Sequence, residues 1–296
     1  MSMKLKYSYV KYLAILIPVM AAWFVLIILP NLQIFVLAFQ KWNGFSKVRK
    51  PIGWQNFQVV LGDPNFTSDL VNTILYVLFL FAVQTVLSLC LALVLRRNTA
   101  QNHFFRTFFF LPLVFSSVMV GLTWSYMYDA NLGIINQLLC AAGLTGFKNF
   151  NWMGDPTRGV FAVVMVHIWA NVGYPLTILT AGLSTIPETL YEAAEVEGAK
   201  PRQSLRHITL PLLMPTILRL TLLTFSTGAM AFDYVLLLGA PGMRAPFDTL
   251  SVGIYKGLTS TNLGLPAVKG VVLGIILMVV FLIQFVITRR VEDSIN

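Results

Sequence analysis

Residues 191–215 read YEAAEVEGAKPRQSLRHITLPLLMP, a charged island between two apolar runs. Just before it, Pro187 suits the first position of a helix, and Glu188 then falls in the first turn, where the helix dipole favours an anion. Glu188, Glu192 and Glu195 are spaced i, i+4, i+7 and share one face. Leu190, Ala193 and Ala194 share another. Gly198 can take the left-handed conformation that ends a helix. Pro201 restarts the chain, and RQSLRHITL leads to Pro211 and the next apolar run. The local expectation is a helix of about three turns, a sharp break and a second short helix.

The rest of the chain says what solvent surrounds this island. Of 296 residues, 57% are hydrophobic and 11% charged, against about 25% charged in a soluble globular chain. Mean hydropathy is +0.75. The expected class is an integral membrane protein. The net charge of +9 then reads as basic residues flanking membrane spans, not as a nucleic-acid surface. Cys90 and Cys140 have no metal-site spacing, and a structural disulfide is not expected. The first apolar stretch, Tyr12 to Phe39, is too long for the core of a cleavable signal and has no small-residue cleavage pattern after it.

A helix needs about 20 apolar residues to cross the hydrocarbon. Six stretches qualify: about 12–38, 71–95, 104–128, 160–183, 210–238 and 267–288. Prolines within them are tolerable because neighbouring helices re-satisfy freed backbone groups. With the N-terminus inside, the inner segments hold eleven Lys and Arg and the outer ones eight. This weak bias favours both termini in the cytoplasm, and the four basic residues of loop 40–70 oppose it. The expected fold is all-α, with six transmembrane helices forming a single permease domain over 1–296: a core of about 71–288 and an extra N-terminal span of about 12–38.

An acidic helix face can be a plain solvated connector. The full spacing here is Glu192-Ala193-Ala194, three residues, Gly198, nine residues, Ile208, two residues, Pro211. It resembles the EAA loop of permease subunits of ATP-binding-cassette (ABC) importers, with Glu197 where that family most often has Asp. Further segments resemble the maltose-type, carbohydrate-importing branch of type I permeases: PIGWQNFQVVLGDPNF with NTILYV, the run RTFFFLPLVFSSVMVGLTWSYMYDANLGIINQLL, FNWMGDP, and IWANVGYPLTILTAGLSTIPETLYEAA. The likeness loosens after Asp233, at LGAPGMRAPFD and PAVKG. The resemblance implies that residues 187–198 form a cytoplasmic coupling helix docked on an ATPase, which fixes the loop inside. It also implies a second permease subunit, an ABC ATPase dimer that binds the ATP and magnesium, an extracytoplasmic solute-binding protein, and the inner membrane of a bacterium. The chain itself is expected to bind no cofactor or nucleic acid.

Polar groups inside a membrane bundle are costly and usually functional. The fourth span carries Trp169, Asn171, Gly173, Tyr174 and Pro175. Gly and Pro allow a bent helix, Trp and Tyr offer faces for a sugar ring, and Asn offers a donor and an acceptor. The fifth carries Asp233, its only acid, and Tyr234. The resemblance implies substrate contacts in these two stretches; packing roles for Trp169 and Tyr174, and a span-end position for Asp233, are the simpler alternatives. His167 reads as a packed core histidine. No phosphate-binding GxxxxGK[ST] motif is present, so ATP must be handled elsewhere. An ion-coupled secondary transporter would need more intramembrane acids or a repeat, and a membrane enzyme would need a catalytic cluster, whereas His103, His167 and His207 are scattered. A permease for a sugar or polyol is the expectation, with glycerol phosphate or another solute as the alternative.

Overall fold

The computed structural model describes residues 16–239 and 243–295, backbone only from 291. Lys4, Lys6, Lys11 and the 240–242 part of the outer loop lie outside the described residues. The elements, in order, are α1 (Leu16–Leu37), a ladder of β1 (Gln40–Lys41) and β2 (Lys50–Pro51), α2 (Gln55–Leu61), α3 (Pro64–Val94), α4 (Ala100–Phe110), α5 (Ser117–Met127), α6 (Ile134–Ala141), α7 (Pro156–Asn171), α8 (Gly173–Ser184), α9 (Thr189–Val196), α10 (Pro201–Ser204), α11 (Leu210–Ala229), α12 (Asp233–Leu238), α13 (Leu250–Gly257) and α14 (Gly264–Ile295). The fold is helical; among the described residues, that two-residue ladder is the one departure from an all-α chain.

The expected spans need correction in shape. Four stretches are long and apolar enough to cross a membrane: Leu16–Leu37, Pro64–Val94, Pro201–Leu238 and Gly264–Arg290. The third and fourth expected spans are bent pairs, and six crossings result if each pair counts as one. The third, 104–128, turns through 94° between Ala100–Val114 and Ser117–Met127. Pro112 sits in a 3-10 turn, Phe115 is extended, and Ser116 Oγ accepts the Val118 N–H to start α5 afresh. The fourth bends by 52° between Asn171 and Gly173, as its Gly and Pro allow. The fifth, 210–238, is interrupted at 230–232, so Asp233 opens a new short helix.

Two wide π turns, Phe24–Ile28 and Leu205–Thr209, each end two residues before a proline, Pro30 and Pro211. Proline has no N–H and its ring crowds the carbonyl four residues back. The turn widens in answer: Leu29 N–H bonds to the Phe24 carbonyl and Leu210 N–H to that of Leu205.

The described residues form two compact units, 16–63 with 254–272, and 64–239 and 243–253 with 273–295. In the first unit Asn56 is buried; its Nδ2 donates to the carbonyls of Ala38 (2.9 Å) and Gln40 (2.8 Å), and its Oδ1 accepts from Asn262 Nδ2 (2.8 Å).

In the second unit α3 packs against α7, α8 and α11. Its buried stripe, Asp69, Asn72, Thr73, Tyr76, Leu80, Gln84, Ser88 and Ala92, follows the helical repeat and is rich in polar groups. At its start Asp69, fully buried, meets Arg244 at 2.8 Å. Asn72 Nδ2 donates to the carbonyls of Pro246 and Asp248, and Thr73 Oγ1 accepts from Leu250 N–H. Loop 244–250 is thereby fixed to α3. Thr249 Oγ1 in turn donates to the Ala231 carbonyl (2.8 Å), which the break in the fifth span sets free. Asp69 is fully buried and Arg244 37% exposed, so removing the arginine leaves a buried carboxylate without its guanidinium. Arg244→Ala is therefore expected to cost about 3 kcal/mol of stability, measured as a lowered melting temperature in detergent.

Candidate functional site: an exposed coupling helix and two cavities

The acidic island forms two short helices. α9 spans Thr189–Val196, eight residues and shorter than expected. Its N-cap is Glu188, and Pro187 lies two residues before the first helical position instead of at it. The C-terminal expectation holds: Gly198 has φ +78°, Gly198 N–H bonds to the Glu195 carbonyl (2.9 Å), and Ala199 N–H to that of Ala194 (2.8 Å). This crossed pair is the Schellman closure. Pro201 opens α10, where Gln203 Oε1 accepts the Lys200 N–H at 2.7 Å.

Glu192, Ala193 and Glu195 are exposed and Ala194 half-buried. Leu190 is 41% and Val196 89% exposed, so α9 presents apolar as well as acidic surface. Ile208 packs on the cluster of Ala92, Leu176, Leu179, Leu183 and Leu213. Pro211 lies exposed at the start of α11.

Tyr191 was not singled out from the sequence, yet it joins this helix to the spans. Its hydroxyl pairs with Thr209 Oγ1 (3.0 Å), and the Arg96 guanidinium lies 3.9 Å from its ring centroid. Arg106 on α4 in turn donates to the carbonyls of Leu95 and Arg96. The end of α3 is thus held by α9 on one side and α4 on the other.

The six residues expected to touch substrate do not form one site. Trp169, 45% exposed, packs edge-on to Trp124 (centroids 5.5 Å apart). It lines an apolar cavity of about 220 Å³ with Phe115, Met119, Val120, Thr123 and Trp124. Asn171 and Tyr174 line a second cavity of about 180 Å³ with Gln84, His167, Thr224 and Thr227. Asn171 Nδ2 donates to the His167 carbonyl (2.9 Å) and reaches Tyr234 Oη at 3.4 Å. Asp233 is exposed at the first turn of α12 and accepts from Ser117 Oγ (2.9 Å). Gly173 needs correction as a ligand-facing residue: its α position faces the backbone of α4, where a Cβ would come 2.5 Å from Phe110 Cα. His167 is a packed histidine, its Nδ1 2.9 Å from Tyr76 Oη.

The loop after α5 is ordered by Asn136, whose Nδ2 donates to the carbonyls of Ala130 and Phe150 while its Oδ1 accepts from Trp152 Nε1. Asp129 in the same loop accepts the N–H groups of Leu132 and Asn131, which hold its carboxyl below the usual range.

Bent membrane helices around small cavities, with a short helix left uncovered between two spans, define a membrane transport component. The family described as binding-protein-dependent transport system inner membrane component matches residues 84–295, well over half of the chain. A probable ABC transporter permease, YurN of Bacillus subtilis, is 32% identical over 257 residues, covering 85% of this chain and 87% of its own. The trehalose/maltose permease MalF of Thermococcus litoralis is 30% identical over 88% of each. A bacterial ABC transporter involved in alginate import has the same fold, with a TM-score of 0.83 over 97% of each chain at 23% identity. This chain belongs to the binding-protein-dependent transport system inner membrane component family.

The two glycines separate packing from strain. Gly198 has open space around its Cα, so only its positive φ resists a side chain. Gly198→Ala should cost about 1 kcal/mol, and Gly173→Ala, meeting backbone that cannot rotate away, about 3 kcal/mol. Melting of the two variants in detergent would give that order.

Proposed function

We propose that this chain is one of two permease subunits of an ATP-driven importer in a bacterial inner membrane, with six crossings and both termini cytoplasmic. It passes a sugar, a di- or oligosaccharide or related polyol, delivered by an extracytoplasmic binding protein. A separate pair of ABC ATPases holds ATP and magnesium. The observation that carries this reading is α9: a short helix closed by the Gly198 turn, with uncovered acidic and apolar faces, inside a chain of the binding-protein-dependent transport family.

The geometry supports a lever. ATP-driven closure of the ATPases moves α9. Tyr191 passes the push to Thr209 and Arg96, and so to the feet of α11 and α3. Since α3 packs on α7, α8 and α11, that displacement opens and closes the cavities. Glu192, Ala193, Ala194, Gly198, Ile208 and Pro211 form the coupling element. Trp169, Asn171, Tyr174, Asp233 and Tyr234 are the solute-facing candidates.

Carbohydrate is favoured by the relatives: MalF is named for trehalose and maltose, NgcF of Streptomyces coelicolor for diacetylchitobiose, and AraP of Bacillus subtilis for arabinooligosaccharides. The alginate transporter has been solved with an alginate pentasaccharide-bound periplasmic protein. Glycerol phosphate fits less well, because neither cavity is lined by Lys or Arg among the described residues.

Co-production with candidate ABC ATPases should yield a complex that survives detergent purification, and failure to recover any ATPase would count against the reading. Within that complex, Glu192→Lys reverses a charge on the docking face and should lower sugar uptake about ten-fold or more, with unchanged permease abundance in the membrane. Wild-type uptake by the variant would remove Glu192 from the interface.

A further inference from the structure

The segment after α1 carries four cations, Lys41, Lys47, Arg49 and Lys50, and no acid from residue 38 to residue 62. All four are exposed. They run against the inward bias of the other Lys and Arg residues, and neither the coupling helix nor the cavities make use of them. The ladder of β1 and β2 gathers them on one hairpin. Its turn is closed by its own groups. Asn43 Oδ1 accepts the N–H groups of Phe45 (3.1 Å) and Ser46 (2.8 Å), and Trp42 Nε1 donates to the Ser46 carbonyl (2.7 Å). The Arg49 guanidinium lies 4.3 Å from the Trp42 ring centroid. Phe45 is left 94% exposed at the tip, and Val48 63%.

The level of this hairpin in the membrane follows from α1. That helix has 22 residues, which at 1.5 Å each span about 33 Å, close to the thickness of the hydrocarbon. Leu37 therefore marks one interface. Two residues on, the Phe39 ring packs against Phe35 inside the span (5.8 Å) and against Trp54 and Phe57 beyond it (both 5.1 Å). Rings gathered at a span end form the aromatic belt found at headgroup level. The hairpin is held at that level, because Leu263 N–H bonds to the Trp42 carbonyl (2.7 Å) just before α14 begins at Gly264. Among the described residues, none of the apolar window of α1 is buried, so its depth and tilt rest on the anchors at its ends.

Four cations without an acid, next to an exposed aromatic tip and a belt of rings, suit a surface that is apolar below and carries phosphates above. We propose that the 40–51 hairpin binds the headgroups of anionic phospholipids at the outer face of the membrane and thereby sets the depth of α1. The proposal goes beyond the transport reading and takes from it only the side on which the hairpin lies. A solute-binding protein docking on the same hairpin is the alternative that the test decides.

The test uses the full-length chain in phosphatidylcholine vesicles, with Cys90 and Cys140 replaced by serine and a fluorophore on Phe45→Cys. Phosphatidylglycerol spin-labelled near the glycerol end of its acyl chain is added in rising fractions, and equally labelled phosphatidylcholine serves as the control. Quenching should reach its half-point at a lower fraction of phosphatidylglycerol than of phosphatidylcholine. Lys47→Gln should raise the fraction of phosphatidylglycerol required about five-fold, as expected for one basic residue at a lipid surface. Arg49→Gln, which also gives up the Trp42 contact, should raise it at least as much. Equal quenching by the two lipids, or none, would overturn the proposal and leave the transport reading intact. Protection of the Phe45→Cys thiol by added solute-binding protein, without lipid quenching, would assign the hairpin to that protein and overturn the proposal as well. In spheroplasts, a thiol reagent that cannot cross the membrane should label Phe45→Cys. Labelling only after lysis would overturn the topology and the proposal together.

Discussion

In lipid, a backbone carbonyl freed from its helix has no water to turn to, and the structure is organised around that constraint. Among the described residues, the break in the fifth span is matched by protein donors and two of the prolines by a local rewinding. At the fifth span, Thr249 donates to the Ala231 carbonyl and Ser251 to that of Ala229. At Pro30 and Pro211 the helix widens by one residue. Asn72 bridges two carbonyls of loop 244–250, and Asp69 meets Arg244 beside it. The breaks are therefore fixed features, and they make the concave surfaces that straight helices would not.

The same constraint explains α3. A membrane helix facing lipid gains nothing from burying more apolar groups against protein, so specificity comes from polar and small residues on the inward side. The stripe from Asp69 to Ala92 is of this kind. It fixes the outer loop at one end, lines a cavity at Gln84, and at the other end leads to Leu95–Arg97, which Arg106 and Tyr191 hold. Motion delivered to α9 thus reaches a helix that also borders the cavity.

Local chemistry was legible in the sequence; tertiary partnership was not. Gly198 predicts its own left-handed turn because only glycine adopts it without strain. The prolines predict where helices deform, and Gly173 with Pro175 predicts the bend of the fourth span. The helix start at Pro187 missed by two residues, within ordinary end variation. The 94° turn at Phe115–Ser116 was hidden because hydropathy counts apolar residues without regard to direction. Gly173 was taken as ligand-facing because sequence gives no sign that the backbone of Phe109 and Phe110 approaches it. Tyr191 and the Asp69–Arg244 pair were missed because each matters through a partner far along the chain.

The central claim is that α9 is the surface through which an ATPase acts on this chain. Val196, the most exposed apolar side chain of that helix, offers a direct probe. With Cys90 and Cys140 replaced by serine, Val196→Cys can be cross-linked in native membranes to single cysteines placed across the groove of the partner ATPase. The account predicts a disulfide to one narrow part of that groove, with uptake lost on oxidation and restored by reductant. Cross-links that scatter without preference, or one that forms while uptake continues undiminished, would contradict it.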